Sequence, residues 1–456
     1  SYIENELVVN IGEIINGDPD RYPTLHKMIN SSEYQAYNKL YTGDENATYA
    51  IYSIAAFADP SFGGVPVYNQ HILDEVNGGN VPKTVDEFLA YCAAAGAAGY
   101  VGWWPRNDKL TNWGEIDATL ALPQGTSIQH PTVGGNMSGV VLSGQLGTDS
   151  EHWTISAPSE ASQAVVRQLA GLYQNGGLDA GIGIKGDFDD AYSDFGAGKI
   201  GAVNFGFGYP GQFRDFYKTA WLAANSGATM DDLSVGYALQ GANGYGPIYQ
   251  TGTWVNSHYF IPYSCKNPDR VLDLVEFLAS NKGQDLLHNC VNGQYNFDVD
   301  AEYWKGVDSP YGYGDGRCKY VWFSYMFSGV EYYADFEGNS WWEAVASPVH
   351  FSNNWATDED AALLDKAQGS VSTFVDSVIT PLPAYYNMIA LPAEATEIIS
   401  KLKSVTDEYL TQFIGGQLNV DTDWASYVAA YEDAGAAQLE QMINDAVATA
   451  RTTYGG

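Results

Sequence analysis

The chain has 456 residues, of which 45% are hydrophobic and 17% charged, so it is a folded protein long enough for two or three domains. Its 21 Lys and Arg residues face 55 Asp and Glu residues, a formal net charge of −34. A field of that sign repels phosphate backbones, so we expect no nucleic-acid partner. No window approaches the 18 consecutive apolar residues that indicate a transmembrane helix.

The first half of the chain alternates strand-like with helix-like stretches, which is typical of an α/β protein. An apolar run at 65–68 predicts a strand, and the helix after it ends at Asn77-Gly78-Gly79. Thr84 and Glu87 have the spacing of a capping box and predict a second helix through Tyr91. The stretch 99–108 predicts a short strand that enters a loop.

The rest of the chain continues this pattern. Helical spacing of apolar residues predicts a helix that begins at 160 and ends at Gly176-Gly177, and a short helix and a glycine turn precede a buried strand at 200–204. The stretch 252–280 predicts a strand and then a helix with Asn267 as N-cap and Pro268 at its first position. Two long amphipathic helices, broken at Gly415-Gly416, are predicted from Pro392 onward.

One short motif, AVNFGFGYPG at 202–211, contains a literal G-x-G-x-x-G after a strand-like run. In a dinucleotide-binding turn, backbone N–H groups approach a pyrophosphate at a helix N-terminus. Pro210 has no N–H, and Phe207 and Tyr209 would crowd the phosphates. The motif therefore predicts a turn that presents two aromatic rings, and we expect no nucleotide cofactor.

Aromatic residues make up 14% of the chain, with 33 Tyr and 12 Trp. They fit either a Tyr-rich core and surface or a site that stacks flat apolar faces and hydrogen-bonds through Tyr and Trp. Sugars present such faces together with hydroxyl groups. Composition alone leaves a carbohydrate ligand and a structural role equally open.

Signatures of metal binding and nucleophilic catalysis are absent. The seven histidines are scattered, and the acidic segments 296–307 and 419–427 lack the glycine and terminal Glu of a calcium loop, so we expect no metal site. We interpret Asp421 and Asp423 as helix-capping residues. The four cysteines form no C-x-x-C motif; Cys265 and Cys290 could pair, but free buried thiols are the expectation.

A glycoside hydrolase would also explain the tryptophans, because its subsites stack sugars. It needs two placed carboxylates, and the sequence alone selects no pair. Glu331, Asp335 and Glu343, which lie among tyrosines and tryptophans, are the local candidates, although ordinary loop carboxylates are the better explanation for them.

The order of four segments resembles the family 1 extracellular solute-binding proteins of ABC importers, the group that includes maltose-binding protein. The matching segments are Tyr68-Asn69 with Pro82 and Thr84 to Phe88, LYQNGGLD at 172–179, FGAGKIGAVNFGFGYPG at 195–211, and FIPYSCKNPDRVLDLVEFLAS at 260–280. Each motif alone is weak, but their order over some 220 residues is fairly specific. The C-terminal helices fit the family more loosely.

The resemblance implies an α/β, two-lobe periplasmic-binding-protein-like (type II) fold with hinge strands, discontinuous lobes and a helical C-terminal region. Lobe 1 would comprise 1–66 and 241–300, and lobe 2 would comprise 67–240 and 301–456. Family members open with a strand–helix–strand unit that we do not find. We therefore expect the N-terminal portion, with its signal peptide and lipid-anchoring cysteine, to be missing from this sequence.

The function implied by the resemblance is the substrate-binding component of an ABC importer, which binds a sugar or oligosaccharide between lobes that close around it. It implies an extracellular, lipid-anchored monomer that contacts the importer's membrane subunits and performs no catalysis. A glycoside hydrolase, a surface glycan-binding protein and a peptide-binding protein of the same fold remain alternatives, the last because Arg106 could pair with a carboxylate.

Ligands of such folds lie at the carboxyl ends of strands, which selects candidate site residues. We expect aromatic residues to stack on the ligand and Arg106 to donate hydrogen bonds to its hydroxyls. The candidates are Tyr68, Trp103, Trp104, Arg106, Phe207, Tyr209, Trp254, Trp322, Trp341 and Trp342. For any single aromatic residue, packing in the core is nearly as good an explanation.

Overall fold

The computed structural model describes residues 2–3, 5–56, 65–105, 113–179, 188–204, 221–242, 244–251, 253–280, 295–298, 303–306 and 378–455. In chain order its helices are α1 Ile11–Gly17, α2 Pro23–Ile29, α3 Ser32–Thr42, α4 Gln70–Asn77, α5 Val85–Ala97, α6 Gly114–Ile116, α7 Glu160–Gln174, α8 Phe188–Gly196, α9 Leu222–Ala224, α10 Pro268–Ala279, α11 Ala393–Ile414, α12 Trp424–Asp433 and α13 Ala436–Tyr454.

The strands in these residues are β1 Ala50–Ala56, β2 Pro66–Asn69, β3 Val101–Trp104, β4 Asn136–Met137, β5 Val140–Ser143, β6 His152–Ile155, β7 Ile200–Asn204, β8 Leu233–Val235, β9 Gln240–Gly241, β10 Gly244–Tyr245, β11 Ile248–Thr251, β12 Thr253–Phe260, β13 Tyr295–Asp298, β14 Tyr303–Gly306 and β15 Ile379–Leu382. A π-helical turn, Asp117–Ala121, directly follows α6.

The chain divides into two compact units, each built from two separate stretches. Unit 1 is 1–58 with 252–361, and unit 2 is 59–251 with 362–456. The chain thus changes unit after 58, 251 and 361, where the sequence analysis placed the exchanges near 66, 240 and 300.

In unit 1, β1 pairs antiparallel with β12, from Ala50 opposite Phe260 to Ala56 opposite Thr253. Helix α10 binds α2 through its acidic side chains. Glu276 accepts hydrogen bonds from the backbone N–H groups of Thr24 and Leu25, which are otherwise unsatisfied at the start of a helix. Pro268 is the first residue of α10 as predicted, but the side chain of Asn267 makes no capping hydrogen bond.

Unit 2 contains a four-stranded sheet in the order β3–β7–β2–β8. Strands β3 and β7 are parallel, whereas β2 is antiparallel to both β7 and β8. Helix α5 begins with the predicted capping box, in which the side chains of Thr84 and Glu87 each bind the other residue's backbone. It crosses β3 closely, because a Cβ on Gly102 would lie 2.4 Å from the backbone oxygen of Cys92.

The C-terminal region corrects one prediction. The sequence analysis expected two helices after Pro392, but the structure has three, α11, α12 and α13. Gly435 adopts a left-handed φ of 101° between α12 and α13, a conformation that interrupts a continuous helix. Asp423 is the N-cap residue of α12, but its side chain makes no capping hydrogen bond. Asp421 is not at the N-cap position, and its carboxylate accepts hydrogen bonds from Arg167.

Unit 2 has one large apolar core. It extends from the sheet through α5 and α7 to the C-terminal helices. The C-terminal helices therefore complete the core of this unit rather than standing apart from it. Within the described residues, no helix is both long and apolar enough to cross a lipid bilayer.

Candidate functional site at the ends of β3 and β7

The candidate site is the edge of the unit 2 sheet at which β3 and β7 end, called the β3–β7 edge below. The two parallel strands pair Trp103 with Ala202 and Trp104 with Val203, so their carboxyl ends lie side by side. Pro66, the first residue of the antiparallel β2, pairs with Asn204 at the same edge. Ligand sites of α/β proteins lie where strands end in this way.

Asn204 is the polar junction of this edge. Its side-chain oxygen Oδ1 accepts a 2.7 Å hydrogen bond from Nε1 of Trp103, and its Nδ2 donates a 3.0 Å hydrogen bond to Oγ1 of Thr119. Asn204 is fully buried, so these bonds form away from water. They fix the Trp103 indole and tie the π-helical turn that carries Thr119 to the end of β7.

Two buried acidic residues lie on segments that contact this edge. The backbone N–H of Asp179 donates to the backbone oxygen of Trp103 at 3.1 Å, so Asp179 lies beside β3. Glu115 precedes Thr119 by four residues on the stretch formed by α6 and the π-helical turn. Asp179 is 3% exposed and Glu115 is 5% exposed.

A third buried carboxylate belongs to the π-helical turn that carries Thr119. Asp117 accepts hydrogen bonds from the Ser127 hydroxyl, the backbone N–H of Ile128 and the Gln129 amide. Because burial outweighs these three bonds, the pKa of Asp117 is raised to about 6. The contacts bind the loop at 127–129 to the π-helical turn.

Three predicted site residues lie in the described part of unit 2. Trp103 and Trp104 are at the edge itself, but their rings are enclosed by protein; Trp103 packs edge-on against Phe88. Tyr68 lies further from the edge, fully buried against Phe88 and Tyr91, and burial raises the pKa of its hydroxyl well above its usual range. The ligand-binding roles of these rings stay predictions.

Trp254 lies in β12 of unit 1, where its backbone is paired with that of Ala55 in β1. The other predicted site residues lie outside the described residues: Arg106, Phe207, Tyr209, Trp322, Trp341 and Trp342. The hydrolase candidates Glu331, Asp335 and Glu343 also lie outside them. The interlobe position of the ligand and the closure of the lobes likewise stay predictions.

Sequence reasoning missed Asn204, Thr119, Glu115 and Asp179. Asn204 was detectable in principle, because it is a polar residue at the end of an apolar strand and an aromatic segment of the sequence follows it directly. Nothing in the local sequence around Glu115 or Thr119 indicates contact with a residue 85 positions away.

Among the described residues, no group of three or more His, Cys, Asp or Glu side chains could hold a metal ion. Cys92 and Cys265 form no disulfide; Cys92 is buried as expected, whereas Cys265 is partly exposed.

The architecture is that of a bacterial extracellular solute-binding protein. The sequence model of that family matches residues 22–294, more than half of the chain, and the chain belongs to the family. This confirms the resemblance found in the sequence and the predicted fold class. No curated protein matches the chain significantly.

Solved structures share the fold at low sequence identity. The alginate-binding protein AlgQ2, solved without calcium ion, has a TM-score of 0.61 at 15% identity, over 98% of this chain and 83% of that one. A human-milk-oligosaccharide (HMO)-binding solute-binding protein from Bifidobacterium longum infantis has a TM-score of 0.58 at 13% identity, with coverage of 98% and 84%. The S. pneumoniae protein FusA, as an EF-hand mutant with fructo-nystose, also has 0.58 at 13% identity, with coverage of 99% and 85%.

Proposed function

We propose that this protein is the sugar- or oligosaccharide-binding component of an ABC importer and releases its ligand chemically unchanged. Membership of the solute-binding family supports a binding role. Similar structures described as alginate-binding, as HMO-binding and as a fructo-nystose complex support a carbohydrate ligand. The membrane subunits of the importer would be its protein partner, and we propose a lipid-anchored monomer at the cell surface.

The observation that carries the proposed site is the convergence of two strand ends. Strands β3 and β7 end side by side, and neighbouring strands are about 4.8 Å apart. Arg106 follows Trp104 by two residues and Phe207 follows Asn204 by three. At no more than about 3.5 Å a residue, these side chains begin within about 11 Å of the same edge.

The residues that we propose for this site suit a sugar. Aromatic rings at Phe207 and Tyr209 would cover the apolar face of a pyranose or furanose ring. The buried side chain of Asn204 fixes the Trp103 indole and the turn that carries Thr119, and the hydroxyl groups of the sugar would lie beside them. Exclusion of water would strengthen each of these hydrogen bonds.

Isothermal titration calorimetry against a panel of oligosaccharides and short peptides tests the proposal. We expect saturable binding of one glycan class, and unchanged glycan by chromatography after prolonged incubation. Products in the chromatogram would show an enzyme instead, and binding of peptides alone would overturn the carbohydrate ligand.

The Tyr209→Ala variant tests the proposed position of the site. Loss of a stacked ring should weaken binding by about 10-fold to 100-fold, since burial of a large apolar side chain against the ligand contributes about 1.5–3 kcal/mol. Tyr263→Ala is the matched control, because Tyr263 is 72% exposed in unit 1. Equal effects of the two substitutions would contradict a site at the β3–β7 edge.

A further inference from the structure

We propose that Asp117 is a positioning residue for the ligand site and that protonation of its carboxylate weakens ligand binding. This inference rests on the proposed function and deepens it, because it adds a control of affinity at the same site. Asp117 itself would touch no sugar. It acts through the π-helical turn Asp117–Ala121, whose Thr119 is bound to the β3–β7 edge.

The π-helical turn is anchored at two positions. Thr119 Oγ1 accepts a 3.0 Å hydrogen bond from Asn204, which in turn accepts the indole N–H of Trp103 at 2.7 Å. Two residues earlier, Asp117 binds the loop 127–129. Because a single residue separates the two anchors, the backbone position at one constrains the position at the other. Turns of this kind are rare and often occur at functional sites.

The anchor on the loop consists of three hydrogen bonds to one carboxylate. Asp117 Oδ2 accepts from the Ser127 hydroxyl at 2.5 Å and from the Gln129 amide at 3.0 Å. Asp117 Oδ1 accepts from the backbone N–H of Ile128 at 2.7 Å. Asp117, Ser127 and Ile128 are fully buried, so weakening any of these bonds has a large effect.

Protonation changes what this carboxylate can bind. An ionised carboxylate accepts through both oxygens, whereas a protonated one carries an O–H donor and has less capacity to accept. At least one bond from the loop must therefore weaken when Asp117 binds a proton. Burial raises the pKa of Asp117 to about 6, so the change occurs in mildly acidic solution. The loosened turn holds Thr119 less firmly against Asn204, and a sugar must then order this edge at a cost in affinity.

Other titratable groups lie on the elements packed against the turn. They are Glu115 in α6, Glu160, Arg167 and Tyr173 in α7, Tyr245 in β10 and His130 beside the loop. None of these described groups accounts for the raised pKa of Asp117, which burial causes against the three hydrogen bonds. His130 needs a control, because burial and the charge of Lys403 lower its pKa from 6.5, and it too titrates in acidic solution.

Calorimetry at two pH values tests the inference. The probes are tetrasaccharides of the malto-, xylo-, manno- and fructo- series with tetragalacturonate, and the one that binds most tightly at pH 7.5 is titrated again at pH 5. The wild type should bind it about 5-fold more weakly at pH 5, the effect of losing part of one hydrogen bond to a charged group. Protonation of Asp117 favours the folded state, so its unfolding would not explain the loss.

Three variants assign the effect. Asp117→Asn has the shape and the donor of a protonated carboxyl group, so it should bind the same sugar about 5-fold more weakly at pH 7.5 and equally at both pH values. Thr119→Val disconnects the turn from Asn204 and should reduce the pH effect to less than about 2-fold. His130→Gln is the matched control and should keep the wild-type pH dependence.

A second measurement keeps the test valid if Asp117→Asn does not fold. Because protonation weakens binding, binding must release protons, about a third of a proton per sugar at about pH 5.7. Binding heats in acetate and in MES buffer, which differ in ionisation enthalpy, measure this release. It should persist in His130→Gln and disappear in Thr119→Val.

The outcomes separate the two proposals. Equal affinity of the wild type at both pH values, an unchanged pH effect in Asp117→Asn or its loss in His130→Gln would overturn the role of Asp117 and leave the carbohydrate-binding function intact. Failure of every tetrasaccharide to bind at pH 7.5 would count against the proposed function itself, and the inference would fall with it.

Discussion

The β3–β7 edge and the C-terminal helices are both rich in aromatic residues, but the aromatic side chains make different contacts in the two regions. In the helices the rings contact one another: Tyr427 lies 5.1 Å from Tyr409 and 5.1 Å from Trp424, between ring centroids. At the edge, the indole N–H of Trp103 binds an amide that in turn binds a hydroxyl. The first arrangement stabilises a core, and the second orders polar groups where strands end.

Because of this difference, a high aromatic content does not by itself indicate a sugar-binding site. Six of the twelve tryptophans have described side chains, and all six are buried: Trp103, Trp104, Trp113, Trp153, Trp221 and Trp424. Much of the aromatic content therefore belongs to the core. The stronger argument for a sugar ligand is the position of polar and aromatic residues at the ends of β3 and β7, together with the family.

The largest effect is expected in the helices. Tyr427→Ala removes a fully buried ring that contacts Tyr409, Phe413, Trp424 and Tyr431, and should lower the free energy of unfolding by about 3–5 kcal/mol. Urea unfolding measures this loss. Below the unfolding transition the affinity for sugar should be unchanged; a large loss of affinity would show that the two regions do not differ as described.

A second prediction concerns the attachment of α13. Arg451 pairs with Glu151, whose side chain is 1% exposed, at 3.2 Å. Arg451→Met leaves that carboxylate buried without its cation and should cost about 3 kcal/mol of unfolding free energy. In a double-mutant cycle with Glu151→Gln, we expect a coupling energy of about 1 kcal/mol or more. Additive effects would show that the pair contributes nothing.

Asp117, in the π-helical turn that carries Thr119, makes the stability of the protein depend on pH. Its pKa is about 6 in the folded protein against an ordinary value of 3.8, so the proton binds the folded state more tightly. The resulting stabilisation is fully present below pH 3.8 and is lost as pH rises through about 6.

From pH 4.5 to 7.5 the wild type should lose about 2 kcal/mol more unfolding free energy than Asp117→Asn. Urea midpoints at both pH values provide the measurement. The exposed Asp433→Asn substitution in α12 is the control for loss of one negative charge. A wild-type difference matching that of Asp117→Asn would contradict a raised pKa.

The smallest effect on stability, and the most specific effect on binding, is expected at Asn204. Asn204→Ala removes the acceptor of Trp103 and the donor to Thr119, and should cost about 1–2 kcal/mol of unfolding free energy. We expect sugar binding to weaken by about 10-fold, in contrast to Tyr427→Ala. Thr119→Val, which breaks one of the two bonds, should give the smaller loss in both measurements.

Local patterns predicted local structure well. The capping box at Thr84 and Glu87, the helix that begins at Glu160 and the strand that ends at Asn204 were all readable because their signals lie within a few residues. The break at Gly435 was missed, because the apolar stripe of the predicted helix continues across it. Only the glycine's left-handed φ reveals the break.

The site was predictable only in part, for a physical reason. The strand ends and the predicted aromatic turn select the β3–β7 edge as the proposed site, since both are local features of the sequence. The bond from Asn204 to Thr119 and the burial of Asp179 arise from tertiary packing of distant segments, which no local spacing encodes. The sequence also did not show that Tyr68 and Trp103 would be enclosed.

A crystal structure of the protein with its tightest-binding oligosaccharide tests the central claim most directly. The account predicts a sugar ring stacked on Phe207 or Tyr209, with hydroxyl groups facing the side of the unit 2 sheet where Trp104 and Asn204 end β3 and β7. A sugar bound elsewhere, with this edge contacting none of it, would contradict the account.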